Sequence, residues 1–148
     1  MPAAFSEDDI SKLRIALSRT VRELDRRSNE EGLTRTQLTV LGQICRLKQV
    51  PLAELAELES VNPTMLSRLI GKLEAAGLVS RVADEKDRRV AHVKITPAGR
   101  KIWEHSRSVR TRVFTGLLAQ LPQPEAAALL AALPALEALA DISRPVAR

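Results

Sequence analysis

The sequence predicts a mainly α-helical chain with one small β-hairpin, and three observations support this fold class. Apolar residues recur every three or four positions along most of the 148 residues, which is the spacing of one helix face. Residues that cap helices precede these segments, and a proline follows the cap at Asn62–Pro63 and again at Thr96–Pro97. Between these two positions, Leu78–Val82 and Val90–Ile95 are rich in β-branched residues, which favours two strands.

The composition is that of a globular domain with an anionic partner. Hydrophobic residues make up 45% of the chain and charged residues 28%. No apolar run approaches the ~18 residues of a membrane span. The net charge of +5 favours binding to nucleic acid or to another anionic surface. The acidic segment Met1–Asp9 lacks the charge order of a signal peptide, and Cys45 has no second cysteine with which to pair. We therefore expect a cytoplasmic protein of one domain that does not bind a membrane.

Two amphipathic helices are predicted at the N-terminal end. Ser6 caps the first, a long helix that ends near residues 29–32. Thr34 and Gln37 form the capping-box pattern that opens the second, more apolar helix, and Val50-Pro51 ends it. The second helix therefore leads directly into the central segment of the chain.

The central segment predicts a helix-turn-helix. A short helix is predicted over Leu52–Leu58, and a second begins at the Asn62–Pro63 cap and ends at Gly77, which can adopt a left-handed conformation. Residues 59–61 leave room only for a tight turn between them. The second helix has an apolar face and a mostly polar face. The apolar positions are Leu66, Leu69, Ile70 and Leu73, and the polar ones are Thr64, Ser67, Arg68 and Lys72.

The two predicted strands flank the charged loop 83–89 and so form a hairpin with a basic tip. A helix-turn-helix followed by such a hairpin is the order of elements in a winged helix-turn-helix. Thr96–Pro97 then opens a long helix that should end near Leu121-Pro122. The Ala- and Leu-rich segment 124–142 predicts a last helix, which Pro134 should kink or break.

Five short motifs occur in an order that one family of transcription factors shares. They are Leu33–Leu38, Asn62–Ile70, Leu73–Val79, Asp87–Arg89 and Ile95–Gly99. On these motifs the chain resembles the MarR (multiple-antibiotic-resistance regulator) family of bacterial regulators. The resemblance implies a sequence-specific DNA-binding regulator without a cofactor. We expect a repressor that blocks a promoter by occupancy, and we find no constellation of residues that predicts an enzyme.

The polar face of the predicted recognition helix carries side chains that suit base edges in a major groove. Small polar and cationic residues in the N-terminal half of such a helix reach the bases, and Arg68 is the candidate for a bidentate contact to guanine. Lys72, one turn further on, suits a phosphate group. The predicted contacts of this helix are Asn62, Pro63, Thr64, Ser67, Arg68 and Lys72.

The basic loop offers cations to the adjacent minor groove, whose narrow form attracts arginine. The predicted wing contacts are Lys86, Arg88 and Arg89. The resemblance implies the same, because the family's wing pattern of Asp, any residue and Arg matches residues 87–89. An acid that faced phosphates would be repelled, so we predict that Asp87 is a structural partner of a nearby arginine. Phosphate contacts are also predicted at a helix start with free amides, by Thr34, Thr36 and Gln37.

Both ends of the chain carry more apolar surface than a small winged domain can cover. We therefore expect the first helix and the C-terminal helices to pack across a two-fold axis in a homodimer. Such a dimer places two recognition helices about 34–36 Å apart on a palindromic operator. The predicted dimerisation residues are Ile10, Leu13, Leu17, Leu117, Leu129, Leu133 and Leu136. Within the single domain 1–148, residues 1–32 and 98–148 would form the dimerisation helices, and residues 33–97 the DNA-binding part.

Two alternatives of other classes stay open. The same helix would serve a winged-helix module that binds a protein, with the basic wing incidental to its function. A weaker alternative is a small enzyme that uses Asp84, Asp87 or His92. The two histidines, His92 and His105, lack the neighbouring cysteines or clustered acids of a metal site, so no metal is expected.

The resemblance implies a small aromatic or phenolic effector bound in a cleft between the two parts of the domain. The candidates to line this cleft are Arg14, Arg19 and Trp103, and the residues themselves give no further evidence for a ligand. The resemblance also implies a peroxide-sensing alternative, because some members of the family use a cysteine that hydrogen-bonds tyrosines. Cys45, however, lies in an apolar helical stripe, and the chain has no tyrosine. We therefore predict a buried structural cysteine.

Overall fold

The computed structural model describes residues 5–143, and within them the chain is mainly α-helical with one small antiparallel sheet, as predicted. The elements are, in chain order, α1 (Glu7–Ser28), α2 (Arg35–Leu47), β1 (Gln49–Pro51), α3 (Leu52–Leu58), α4 (Pro63–Ala75), β2 (Val79–Ala83), β3 (Ala91–Ile95), α5 (Pro97–Leu118) and α6 (Gln123–Ile142). Residues 1–4 of the acidic N-terminal segment and residues 144–148 of the predicted C-terminal dimerisation region lie outside the described part. Among the described helices, none combines the length and the apolar character needed to cross a membrane.

Side-chain caps start the helices where the sequence predicts them. The N–H of Asp9 donates to the Ser6 hydroxyl at 3.1 Å, and the N–H of Ser6 donates to the Asp9 carboxylate at 3.2 Å. A second reciprocal pair joins Thr34 and Gln37, with distances of 3.2 and 2.8 Å. Asn62 caps α4 with its side-chain oxygen. Since such a cap contributes about 1 kcal/mol, these residues define the starts of α1, α2 and α4.

The sheet of the described residues has a third strand beside the predicted hairpin. β2 pairs with β3 as expected, but β1 pairs with the other edge of β3, so that Gln49 lies opposite Lys94 and Pro51 opposite His92. The sequence prediction treated Val50-Pro51 only as the end of a helix and missed this strand. Three residues are too few to show the alternation that marks a strand, and a proline is tolerated because β1 is an edge strand.

Helix α6 is continuous, so of the two outcomes predicted for Pro134, a kink or a break, the break is wrong. Gln123–Ile142 forms one helix that includes this proline. Pro134 removes the backbone hydrogen bond to the carbonyl of Leu130, four residues earlier. Residues 127–135 are all exposed, so water can bind that carbonyl. The helix therefore tolerates Pro134 because no buried polar group is left without a partner.

The buried core lies in the middle of the chain. Side chains at most 2% exposed come from α2 to α5 and from the sheet: Val40, Leu41, Ile44, Val50, Leu55, Leu66, Ile70, Leu73, Val79, Val93 and Val109. Each leucine or isoleucine buried in this way stabilises the fold by roughly 1.5–3 kcal/mol. In contrast, α6 has no buried residue and α1 has only Ser28. The helix-turn-helix and its sheet thus have a core of their own, whereas α1 and α6 leave their apolar faces largely uncovered within one chain.

The end of α4, the start of β2 and the start of α5 meet at Gly77, Leu78, Thr96 and Gly99, which we call the α4–α5 joint. The Thr96 hydroxyl donates to the Gly77 carbonyl at 2.7 Å and accepts the N–H of Gly99 at 3.0 Å. The N–H of Thr96 donates to the Leu78 carbonyl at 3.1 Å. A Cβ at Gly99 would lie 1.9 Å from the oxygen of that carbonyl. Glycine at position 99 therefore allows α5 to approach the helix-turn-helix this closely.

Gly99→Ala should lower the free energy of unfolding by about 1–3 kcal/mol, because the overpacking at Leu78 exceeds the gain in helix propensity. Gly116→Ala is the matched control in the same helix, since a Cβ there would meet no described heavy atom within 4 Å. It should be neutral or stabilising by up to about 1 kcal/mol. Urea unfolding followed by circular dichroism measures both variants. If Gly99→Ala proved as stable as Gly116→Ala, the joint would not be packed as described.

Candidate nucleic-acid interface

Helix α4 has a buried face and an exposed polar face. Leu66, Ile70 and Leu73 are at most 1% exposed and face the core. The predicted base and phosphate contacts lie on the remaining surface, where Ser67 is half-buried. The exposed ones are Asn62, Pro63, Thr64, Arg68 and Lys72. Thr64, Arg68 and Lys72 follow one another at four-residue spacing, so they form a single stripe along α4.

Arg81 of β2 attaches α4 to the wing. Its guanidinium donates to the main-chain carbonyl of Ser67 at 3.0 Å, in the middle of α4. Its main-chain N–H donates to the Glu74 carboxylate at 3.1 Å, and its guanidinium lies 3.8 Å from the same carboxylate. Arg81 and Glu74 were not among the predicted site residues, because their contacts depend on how β2 packs against α4. These contacts hold the helix that carries Arg68 against the strand that leads to the wing tip.

The wing loop is organised around Asp84, which the sequence analysis weighed only as a catalytic candidate. Its carboxylate accepts the N–H groups of Lys86 at 2.7 Å and of Asp87 at 2.9 Å, and lies 2.9 Å from Nε2 of His92. The two backbone hydrogen bonds, helped by His92, hold the pKa of Asp84 below its ordinary value. An aspartate commonly accepts hydrogen bonds from the N–H groups two and three residues ahead in a turn. The turn at Asp84 could therefore have been predicted from the sequence.

Asp87 was predicted to be a structural partner of a nearby arginine, and in the structure its carboxylate contacts the main chain of the wing loop. Its carboxylate accepts the main-chain N–H of Arg89 at 3.0 Å. Among the described residues, no arginine guanidinium lies within ion-pair distance of Asp87. The main-chain N–H of Arg89, two residues further along the loop, is thus the partner of Asp87. Lys86, Arg88 and Arg89 are all exposed at the tip.

The start of α2 carries the predicted phosphate contacts. Thr34 and Thr36 are exposed, and Gln37 is half-buried. The Thr34 hydroxyl oxygen and the Gln37 side-chain carbonyl are engaged in their reciprocal cap. The Thr34 hydroxyl hydrogen and the Gln37 side-chain NH₂ take no part in those two bonds. Both side chains can therefore still donate to an anion.

Asp25 joins three helices. Its carboxylate accepts hydrogen bonds from Arg35 at the start of α2, at 2.5 Å, and from Arg110 in α5, at 2.6 Å. Burial raises the pKa of Asp25, but the two guanidinium groups outweigh it and hold this pKa below its ordinary value. Since stability from a lowered aspartate pKa is lost as pH falls through that pKa, this contact between α1, α2 and α5 persists at neutral pH.

A groove of about 550 Å³ lies between α2 and α5. Its lining includes the aromatic ring of Trp103 and one acid, Glu59. It also includes four arginines, Arg35, Arg46, Arg107 and Arg110. The indole of Trp103 lies so close to Gly42 that a Cβ there would be 2.8 Å from the ring. Burial raises the pKa of Glu59, although Gln43 and Arg46 act in the opposite direction. Of the three residues predicted to line a cleft, only Trp103 lines this one, since Arg14 and Arg19 are exposed on α1.

Cys45 is half-buried beside the core, less enclosed than predicted. The guanidinium of Arg100 donates to its sulfur at 3.4 Å.

The described part of the chain contains no group of three or more His, Cys, Asp or Glu side chains that could hold a metal ion. His105 lies 3.1 Å from the Glu30 carboxylate, so both histidines face acids at separate places.

The predicted dimerisation residues lie on surfaces that one chain leaves uncovered. Leu117 and Leu136 are half-buried, and the others are exposed: Ile10, Leu13, Leu17, Leu129 and Leu133. Most of the remaining exposed large apolar side chains of the described residues also belong to α1, α5 and α6 or lie beside them. Each of these helices therefore carries apolar side chains that the described part of one chain leaves exposed.

The sequence is similar to one protein family and to several transcriptional regulators. The sequence profile of the MarR family matches residues 33–91, from the loop before α2 to the start of β3. The transcriptional activatory protein BadR of Rhodopseudomonas palustris is 37% identical over 89 residues, which cover 58% of this chain and 51% of BadR. The HTH-type transcriptional repressor Rv2887 of Mycobacterium tuberculosis is 30% identical over 94 residues, covering 64% of this chain and 68% of Rv2887. The match thus spans about half of the first relative and two thirds of the second.

Solved structures extend the likeness to most of the chain. A protein from Pseudomonas aeruginosa PA01 superposes with a TM-score of 0.79 and 31% identity, covering 92% of this chain and 99% of that one. A mutant of MarR from E. coli, solved in complex with operator DNA, superposes with a TM-score of 0.66 and 25% identity, covering 90% and 99%. The shared fold therefore includes helices outside the profile match.

Asp84→Ala should loosen the wing loop, because the N–H groups of Lys86 and Asp87 lose their acceptor. Limited proteolysis with trypsin, which cuts after Lys86, Arg88 and Arg89, should then cleave the variant several-fold faster than the wild type. Asp84→Asn is the matched control, since it keeps a side-chain oxygen that can accept both bonds.

The same loop should depend on pH. A lowered pKa means that the contribution of Asp84 is present above the ordinary aspartate value and is lost as pH falls through the lowered pKa. NMR titration of the Asp84 carboxyl measures this directly. An ordinary pKa for Asp84, together with equal cleavage of all three proteins, would rule out its organising role.

Proposed function

The chain belongs to the MarR family, and from this premise we propose that it is a sequence-specific DNA-binding transcriptional regulator, a homodimer on a palindromic operator. The observation that carries the proposal is the exposed stripe of Thr64, Arg68 and Lys72, held by Arg81 against a wing with a basic tip. No catalytic step is part of the proposal. Since its partner is double-stranded DNA, we place the protein in the cytoplasm.

The recognition helix reads base edges in the major groove. Asn62 and Thr64 are exposed at the N-terminal end of α4, the end that enters the groove in proteins of this architecture. Pro63 provides the tight helix start, and half-buried Ser67 lies at the margin of the reading face. Arg68 makes a bidentate contact to guanine, and Lys72 neutralises a phosphate.

The wing and the start of α2 contact the DNA on either side of this helix. Arg88 and Arg89 enter the adjacent minor groove, with Lys86 near its phosphates. Asp84 and Asp87 shape the loop that presents them. At the start of α2, phosphates accept hydrogen bonds from exposed hydroxyls and from a side-chain amide. The donors are Thr34, Thr36 and Gln37.

The dimer forms through the terminal helices. Within the domain 1–148, residues 33–97 form the DNA-binding part, and residues 1–32 and 98–148 form the dimerisation part. The support for this division is that most core residues belong to α2, α3, α4 and the sheet, while α1 and α6 leave apolar faces exposed. A two-fold axis that pairs these faces removes them from water, which is the main driving force of association.

We assign repression to the protein, because a dimer that occupies an operator within a promoter blocks it without any further contact. The two relatives described above are named for opposite directions of regulation, since BadR is called an activatory protein and Rv2887 a repressor. The alternative from another class is a winged-helix module that binds a protein through the same helix. It predicts that partner binding barely depends on salt and that DNA affinity does not respond to changes at Arg68.

The groove between α2 and α5 fits a small aromatic or phenolic anion as an effector. Trp103 offers a ring for stacking, and Arg107 offers a guanidinium to a carboxylate. Arg35 and Arg110 line the same groove while they hold Asp25 of α1. An anion that drew either guanidinium towards itself would weaken the link between α1 and the DNA-binding part. This change would alter the spacing of the two recognition helices and release the operator.

Variants of the recognition helix test the DNA-reading proposal, with DNA that the wild-type protein selects from a random pool as the probe. Arg68→Ala should weaken binding by about 1–3 kcal/mol and relax the preference at one base pair per half-site. Arg68→Lys keeps the charge but loses the bidentate geometry, so it should relax the same preference with less effect on scrambled DNA. Fluorescence anisotropy at several salt concentrations measures each affinity.

Lys72→Ala serves as the control on the same stripe. It should weaken binding to selected and scrambled DNA alike and reduce the salt slope by about 1 per half-site, because it removes a phosphate contact. If no DNA is selected, or if all three variants bind as the wild type does, the protein-interaction module becomes the better account.

The effector proposal can be tested with the one tryptophan of the sequence. Titration with a phenolic carboxylate, 2-hydroxybenzoate, should change the fluorescence of Trp103 and release the selected DNA. Arg107→Gln should weaken this response by about tenfold or more, since a charge-assisted hydrogen bond is lost. Arg112→Gln, on the same helix but outside the groove lining, is the matched control. A response that persists unchanged in Arg107→Gln would place the ligand elsewhere.

A further inference from the structure

The exposed large apolar side chains of the described residues fall into two groups. Most lie on or beside α1, α5 and α6, where the proposed dimer would cover them. The others are Met65 in α4, and Val82 and Val90 in the wing, which are the elements proposed to meet DNA. Met65 is the most exposed of these three, at 61%. An apolar side chain on the reading face therefore needs an explanation that neither the core nor the dimer supplies.

Met65 lies in the first turn of α4, where its N–H is 3.4 Å from the capping oxygen of Asn62. It precedes Arg68 by three residues and Lys72 by seven, so the three side chains share one exposed stripe. Arg81 contacts α4 at the carbonyl of Ser67 and at Glu74, both away from this stripe. Met65 is thus beside the proposed guanine contact and clear of the wing.

We propose that Met65 reads a thymine by packing its thioether side chain against the C5-methyl group, next to the base pair that Arg68 contacts. This inference rests on the proposed DNA binding. The thymine methyl is the apolar group that base pairs present in the major groove, and the N-terminal residues of a recognition helix reach the base edges. A methionine has three rotatable bonds and a polarisable sulfur, so it adapts to such a methyl group.

The charges around Met65 favour DNA over a protein as the partner. Arg68 and Lys72 follow it along the exposed stripe, and the wing tip adds Lys86, Arg88 and Arg89 on the neighbouring element. A surface this basic is complementary to phosphates, which would bring Met65 close to the bases. Contact between the methionine and a thymine methyl then removes both from water.

The test uses the DNA that the full-length wild-type chain selects, resynthesised with deoxyuridine in place of one thymidine at a time. This exchange removes the methyl group and leaves base pairing unchanged. At one thymine in each half-site, the exchange of thymidine for deoxyuridine should weaken binding of the wild-type protein by about 3- to 10-fold. This is the effect expected for the loss of one buried methyl group. Met65→Ala should bind the thymine and uracil probes equally at that position.

Lys72→Ala is the matched control on the same stripe, because it should bind all probes more weakly but keep the thymine-to-uracil ratio. Met65→Ala should keep the wild-type unfolding temperature, since an exposed side chain contributes little to the core. If DNA is selected but no thymine position separates Met65→Ala from the wild type, this inference is overturned while the proposed function stands, and the methionine would belong to a protein contact. If no DNA is selected, the proposed function fails with it.

Discussion

Helix α5 can approach the end of α4 because residue 99 has no side chain. The Leu78 carbonyl oxygen occupies the place where a Cβ of residue 99 would lie, and Thr96 bonds to Gly77 and Leu78 on the same side. Arg81 ties the middle of the recognition helix to the wing through the Ser67 carbonyl. These contacts link the recognition helix both to the wing and to α5.

The distribution of apolar surface divides the chain into two kinds of structure. The helix-turn-helix and the sheet enclose most of the buried core within one chain. Helix α6 has 20 residues, none of them buried, and ordering such a helix costs conformational entropy that one chain does not offset. The apolar faces of α1, α5 and α6 therefore suit a second copy of the chain. Asp25, bonded to Arg35 and Arg110, connects the two kinds of structure.

Features made by residues close in sequence were predictable, and features made by packing were not. The caps at Ser6, Thr34 and Asn62 could be read directly, because each cap and its amides lie within three residues. The hairpin followed from its β-branched flanks. Strand β1 was missed because its three residues gain their identity only from pairing with β3, and the contacts of Arg81 require the packing of β2 on α4. The turn at Asp84 was a local pattern, overlooked because the loop was interpreted by its net charge.

In the proposed assembly, one dimer holds two DNA-binding parts at a fixed separation. The most direct test measures affinity for two copies of the selected half-site as the DNA between them is lengthened by about 5 and then by about 10 base pairs, half a helical turn and a full turn. Two rigidly held recognition helices predict one optimal spacing, with affinity falling at both insertions towards that of a single half-site. Equal affinity at every spacing would contradict this assembly, because each half-site would then be bound independently of the other.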